Sequence, residues 1–294
     1  MQRPIQEYTL ADWKRLRPLT HILKSRRYDW INRRYVRRAA RVGDRAAIAR
    51  MIAGRDVLVT ISFNDSEAIG WQAPLIRHYV PRAFHIIADN SSDERAARET
   101  MEISARCGLP YLRLPRNPWR SSSRSHGVAL NWVWRNVLRP GKPRAFGFID
   151  DDIFPTAPDD PFAPLESQDF YGVIREADRR WFLWAGYCLF RFEAVESKPL
   201  DFRQAWFIGL DTGGANWNVL YRHFERSALK EVPSSFTPYK SGIAVHEGPL
   251  HWCGPWLHEV GTMGNTAVAA EKRRAVAEIL SPHLAAAGHV SSLS

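Results

Sequence analysis

Cysteine is scarce in this chain: Cys107, Cys188 and Cys253 are the only three in 294 residues, far apart and without a CxxC pair. Neither a disulfide framework nor a zinc cage is indicated, and a reducing, cytoplasmic setting is expected. No apolar run approaches the ~20 residues that cross a bilayer. The opening residues, MQRPIQEYTLADWKRL, carry no apolar stretch behind a basic start, so no secretory leader is expected. Internal repeats and low-complexity tracts are lacking as well. Acid is short in one region only. Residues 1–55 hold fifteen Lys and Arg against four acids, while the whole chain is +10, so the remainder is close to neutral at −1. The charge describes a near-neutral domain, residues 56–294, preceded by a basic segment, residues 1–55.

That basic segment reads as helical over residues 10–52. Trp30 and Ile31, Tyr35, Ala39 and Val42 recur at three- and four-residue spacing with arginines on the other faces, and Pro18 separates a shorter first helix. An amphipathic helix with a solvated arginine face is the plain reading. Arg and Trp on one helix also suit an anionic membrane surface, which would make the protein peripheral at the inner face of the membrane. Nucleic acid is not expected, because the arginines are not set in a recognisable binding module.

From Asp56 the texture alternates between strands and helices. DVLVTIS (56–62) and FHIIAD (84–89) are near-continuous apolar runs of the kind covered on both faces. A helix follows the second, with Ser91 and Glu94 at capping-box spacing and Gly108 as its stop. YLRLP (111–115), the helical stretch SHGVALNWVWRNVL and the strand AFGFI complete a β-α-β-α-β-α-β order. This predicts an α/β fold: a mixed, mainly parallel sheet flanked by helices. Beyond Pro161, FYGVIRE and WFLWAGYCLFRF read as a hairpin, and GLDTGGANWNVLYRHFER as a glycine-rich turn before a helix. Residues 246–265 read as a loop, and 266–287 as a closing helix interrupted at Pro282.

Ligands bind an open parallel sheet at the carboxyl ends of its strands. Four such ends are polar here: Ser62–Asp65, Asp89–Ser92, Arg116–Arg124 and Asp150–Asp152. The last is the most demanding. AFGFI runs straight into three consecutive aspartates, and Asp150 and Asp152 share a side if strand geometry persists. Such a pair suits a hard divalent ion completed by phosphate oxygens, although aspartates also cap turns. Arg116, Arg120 and Arg124 precede a helix N-terminus, which favours an anionic ligand; a solvated loop capped at Ser125 is the alternative.

The ordered set VLVTISFND, IIADNSSDE, SHGVALNWVWRN and AFGFIDDDIFP resembles the nucleotide-sugar domain of GT-A (Rossmann-like) glycosyltransferases, near inverting family 2, over about residues 56–155. The resemblance implies a nucleotide-binding half, 56–155, and an acceptor half, 156–294. It implies a metal-dependent transfer of sugar from a nucleotide-diphosphate donor to a saccharide or lipid-linked acceptor. Asp150 and Asp152 would hold Mn²⁺ or Mg²⁺, with Asp151 and Arg124 at the donor. Ser62, Asn64, Asp89 and Asn90 would line the nucleoside site. Asp211, at a predicted helix N-terminus, would be the base. His258 in WLHEVGT matches a late metal-binding histidine best, ahead of His246 and His251. Trp181, Trp184, Trp217 and Trp252 are candidate acceptor platforms. The acceptor-helix signature of processive synthases, Gln/Arg-x-x-Arg-Trp, is missing, which points to single transfers. FIDDDIF also resembles the aspartate motif of HAD phosphatases, and an inactive domain carrying an RNA- or membrane-binding arginine helix is a third reading.

Overall fold

Val57, Leu58 and Val59 are fully buried although they point alternately to opposite faces, as a strand covered on both sides requires. The computed structural model, which describes residues 3–177, 179–260 and 266–288, shows what covers them. In chain order the helices are α1 (Leu10–Lys14), α2 (Arg17–Tyr35), α3 (Arg45–Met51), α4 (Ser66–Tyr79), α5 (Glu94–Arg106), α6 (Ser122–Val133), α7 (Arg139–Gly141), α8 (Phe192–Val195) and α9 (Thr266–Ala286). The strands are β1 (Asp56–Ser62), β2 (Phe84–Asp89), β3 (Tyr111–Arg113), β4 (Ala145–Asp150), β5 (Ile153–Pro155), β6 (Phe170–Ala177), β7 (Arg180–Arg191), β8 (Ser234–Pro238), β9 (Pro249–Cys253) and β10 (Trp256–His258).

The main sheet has the order β3-β2-β1-β4-β7-β6. Its first four strands are parallel, and β7 runs antiparallel to both β4 and β6. The expected mixed, mainly parallel sheet is therefore present. A second, antiparallel sheet, β5-β10-β9-β8, stands beside it. One face of the main sheet (Val57, Val59, Ile86, Phe146, Phe190) packs on Tyr35 of α2, Ile48 of α3 and Val128 and Val133 of α6. The other (Leu58, Ile149, Leu189) packs on Trp71 and Leu75 of α4, Val276 and Leu280 of α9, and Phe154 and Leu257 of the second sheet. Each fully buried aliphatic side chain in these layers contributes about 1.5–3 kcal/mol. Among the described residues no helix is long and apolar enough to cross a membrane.

Several local expectations are corrected. The basic helix does not run to residue 52: it ends at Tyr35, and Arg41 and Val42 bond to Arg113 on the edge strand before α3 begins. Gly43, at φ +90°, lets the chain pass where a Cβ would meet the Tyr111 carbonyl at 2.4 Å. The cap of α5 is Asp93, which accepts from the amides of Arg95 and Ala96, rather than Ser91. α6 starts at Ser122, so Ser125 lies inside it, buried. The α-helix expected directly after Asp211 does not form. Gly213 at φ +94° and Gly214 open only a 3₁₀ turn, Gly214–Asn216, which suits their poor helix propensity. The expected loop at 246–265 contains β9 and β10; residues 261–265 lie outside the described residues. α9 continues through Pro282, held by buried Leu280 and Leu284 on either side.

Candidate active site

In the main sheet the connections leave β1 toward β2 on one side, while β4 lies on the other, so β1 and β4 flank a topological switch point. Crevices form there, beyond the carboxyl ends of the strands. Such a cleft, about 280 Å³, is lined by Phe63 and Asp65 after β1, by Asp150, Asp151 and Asp152 after β4, and by Ser122, Ser123 and His126 of α6 and its start. Trp184 and Gly186 of β7 and Asp211 also line it. Phe63, Asn90 and Ser125 continue into a wider groove of about 760 Å³ that includes Arg116 and Arg120. Neither arginine makes an ion pair among the described residues.

The aspartate turn is held from behind. Gln72 of α4, fully buried, donates from Nε2 to the carbonyls of Asp150 and Ile153, each at 2.7 Å. Its Oε1 accepts from Thr60 Oγ1 at 2.6 Å, and Thr60 lies 2.9 Å from His85 Nε2. In front, the Asp151 carboxylate accepts from the Phe63 amide at 2.8 Å, tying the ends of β4 and β1 together. Gly186 leaves room for Asp150: a Cβ there would stand 2.4 Å from its Oδ2 and 2.2 Å from the Trp184 ring.

Charge in the cleft is uncompensated. Burial, with Asp152 nearby, pushes the Asp150 carboxyl above its ordinary range, against the pull of His258. Asp151 is likewise raised, by burial and by Asp152 and Asp65. The nearest basic side chains are two histidines, one beside each outer aspartate. His126 Nε2 is 3.4 Å from Asp150 Oδ1, and His258 Nε2 is 3.6 Å from Asp152 Oδ1. Burial drives His126 down to about 4 despite Asp211 and Asp152, so it is neutral near pH 7. Below the cleft, Glu259 is buried and pushed up to about 7 by that burial, and its amide bonds to the Asp152 carbonyl. Arg273 of α9 gathers Glu259, Asp65 and Glu67 around one guanidinium.

Three carboxylates forced together without a matching cation fit a divalent ion. Among the described residues, however, no group of three His, Cys, Asp or Glu side chains is arranged to hold one unaided. The residues therefore fit a hard ion shared between one or two carboxylates and the oxygens of a bound ligand, as Mg²⁺-type ions are with phosphates.

The cleft thus brings together Asp150, Asp151, Asp152, Asn90 and Asp211, with His258 against Asp152. Asn90 donates to Ser125 Oγ and accepts from Asn117. Asp211 has lost its expected helix, and with it the helix-dipole argument; its carboxylate accepts from Gln204 Nε2 at 2.7 Å. The structure does not bring the other predicted donor residues to the cleft. Asp89 is buried and occupied by Tyr111 Oη and the Ser91 amide. Ser62 is buried, and Asn64, at φ +58°, is spent on Ser92 and Asp93. Arg124 turns away, its guanidinium over the rings of Tyr28 and Trp119. His246 is exposed, and His251 bonds to Ser234 and His258. Of the four tryptophans, only Trp184 lines the cleft, its ring 4.7 Å from that of His258. His126 and Gln72 went unread in the sequence. Both sit on helices that follow parallel strands, one turn or two from the N-terminus, where a polar side chain faces the strand ends.

No family model and no curated protein matches the chain. Among solved structures it is similar to the mannosyltransferase PcManGT from Pyrobaculum calidifontis, in complex with GDP-Man and Mn²⁺, at 14% identity and TM-score 0.38, over 58% of this chain and 54% of that one. It is similar to the galactosyltransferase LgtC, in complex with donor and acceptor sugar analogues, at 13% identity and TM-score 0.35, over 47% of this chain and 58% of that one. The bifunctional glycosyltransferase WbbM follows at 12% identity and TM-score 0.30, with 47% of this chain and 31% of that one. In each case the match spans less than two thirds of the other protein.

Proposed function

We propose that the chain is a GT-A-type glycosyltransferase that moves a sugar from a nucleotide-diphosphate donor to a saccharide or lipid-linked acceptor, one transfer at a time. The observation that carries this is the meeting, at the switch point of the sheet, of uncompensated Asp150–Asp152 with a groove lined by unpaired Arg116 and Arg120. A ligand that suits both ends carries its own phosphates and brings a cation with it. A nucleoside diphosphate-sugar with Mn²⁺ or Mg²⁺ does so.

On this reading Asp150 and Asp152 hold the ion, with His258 beside Asp152. When bound, the ion offsets the charge that develops on the departing diphosphate. Arg116 and Arg120 orient the donor's anionic groups. Trp184 offers a ring face to the sugar, and neutral His126 offers one hydrogen bond without adding charge. In an inverting transfer the bond from the anomeric carbon to phosphate breaks and its electron pair leaves with the diphosphate. The acceptor oxygen forms the new bond, and its proton passes to Asp211. Gln204 orients that carboxylate.

Thermal stability measured against UDP-, GDP-, CMP- and dTDP-sugars, with and without Mn²⁺, tests the donor site. A metal-dependent shift with one nucleotide is expected, lost in Asp152→Asn together with at least about 10²-fold of the transfer rate. Asp211→Asn is expected to keep the shift and lose the transfer. No shift with any nucleotide overturns the reading.

A further inference from the structure

The helix α2 turns large apolar side chains to solvent as well as to the domain. At 3.6 residues per turn, the side turned to the domain holds Pro18, His21, Ser25, Asp29 and Asn32, flanked by half-buried Ile22 and Tyr28, with Tyr35 at its end. That side is anchored by polar bonds, Arg203 to Asp29 and Asn131 to Asn32, and by the rings of His21 and Tyr28 against Trp206, Phe207 and Trp119. The opposite side, facing solvent, holds Leu19, Leu23 and Trp30 within about 40° of one another. They are 54%, 66% and 54% exposed. Leu10, Trp13 and Leu16 extend the apolar surface through α1 at 82%, 44% and 58%. A helix that merely coats a soluble domain places these residue types inward. Isolated exposed leucines need no explanation, but seven of the thirteen large apolar side chains exposed among the described residues fall between Ile5 and Trp30.

The charges around this strip complete the pattern. Arg26 and Arg33 run along one side of it, and Arg27 and Arg34 along the other. None of the four makes an ion pair among the described residues, and all are exposed. Arg34 lies over the Trp30 ring. The only acid of α2, Asp29, is on the inner side and spoken for by Arg203. An apolar strip bordered on both sides by free arginines matches a bilayer interface: leucine and tryptophan enter the acyl boundary while the guanidiniums meet anionic headgroups.

We infer that the outer face of α1 and α2 docks the protein on an anionic lipid bilayer. The inner side of α2 borders Gln204, the partner of Asp211, so docking would bring the acceptor side of the cleft close to the lipid surface. The docking itself does not depend on the donor reading.

The test is flotation of the full chain, without nucleotide, with vesicles of phosphatidylcholine alone and with about a third phosphatidylglycerol. Binding is expected to the anionic vesicles only. It should fall about tenfold or more in Leu19→Ser/Leu23→Ser/Trp30→Ser, and likewise in Arg26→Glu/Arg27→Glu/Arg33→Glu. Since these positions are exposed, melting temperatures are expected to hold within about 3 °C, which separates lost docking from lost folding. A Leu23→Cys probe in a Cys107→Ser background, carrying an environment-sensitive dye, should report an apolar surrounding on anionic vesicles. Equal binding to neutral vesicles overturns the inference, as does binding that survives the apolar triple variant. A concentration-dependent dimer that the triple variant abolishes, or capture of a single-stranded RNA, each without vesicle binding, assigns the face to another occupant.

Discussion

At the scale of single residues, the cleft depends on what is absent at position 186. At Gly186 both the Asp150 carboxylate and the Trp184 ring come close to the β7 backbone. Gly186→Ala is expected to leave the fold intact and displace the Asp150 carboxylate, because one of the two neighbours must yield. On the proposed donor site, the Mn²⁺ affinity in the presence of the nucleotide that stabilises the wild type, measured by titration calorimetry, should fall about 10- to 100-fold, the size expected when the support of a metal ligand is disturbed. An unchanged affinity would mean either that the Trp184 ring yields in place of Asp150 or that Asp150 does not bind the ion, and Asp150→Asn separates the two. Asp150–Asp152 was legible in the sequence because three like charges after an apolar strand demand an explanation. Asp89, Asn64 and Arg124 were assigned to the donor from their places at strand ends and in the arginine loop, and the structure finds each engaged by its own neighbours. A polar residue at a strand end satisfies either a ligand or its own neighbours, and only the positions of Tyr111, Ser92 and Trp119 decide between them.

At the scale of elements, α4 is the support of the aspartate turn. Gln72 spends both amide hydrogens on carbonyls of that turn, so Gln72→Leu leaves two acceptors, one of them fully enclosed, without donors. A loss of about 2–4 kcal/mol in urea unfolding is expected. A larger relative loss of transfer should accompany it, since the turn carries the carboxylates. Transfer unaffected by the variant would show that the turn holds its shape without α4. The parallel strands and their helices were legible because continuous apolar runs and 3.6-residue stripes leave few alternatives. The second sheet was not. PLHWC and WLH are too short and too mixed to alternate, and they become strands only because β5 gives β10 a partner to pair with. The glycine-rich segment after Asp211 failed for the opposite reason, its buried Leu220 and Tyr221 imitating a helical stripe that irregular turns produce equally well.

For the whole molecule, stability and pH are linked through buried groups of opposite sign. His85 is enclosed beside Thr60, and burial lowers it from 6.5 to about 3. Its contribution is complete above pH 6.5 and is lost as the pH falls toward 3, because the unfolded chain takes up the proton first. Asp150 and Asp151, being raised, act in the reverse direction over part of the same range. The contribution of His85 is therefore read as a difference. The stability gap between wild type and His85→Gln should change by about 1.4 kcal/mol per pH unit between pH 6 and 4, the slope of one proton. A gap that does not move with pH would mean that His85 titrates normally. The boundary at residue 155 expected from the sequence has a different consequence. β4 and β5, which frame the aspartates, find their partners in β7 and β10, from beyond residue 155. Each half thus completes a sheet begun by the other. A chain cut or recombined at residue 155 would lose the pairing of β4 with β7 and of β5 with β10 at once, so neither piece is expected to behave as a module of its own.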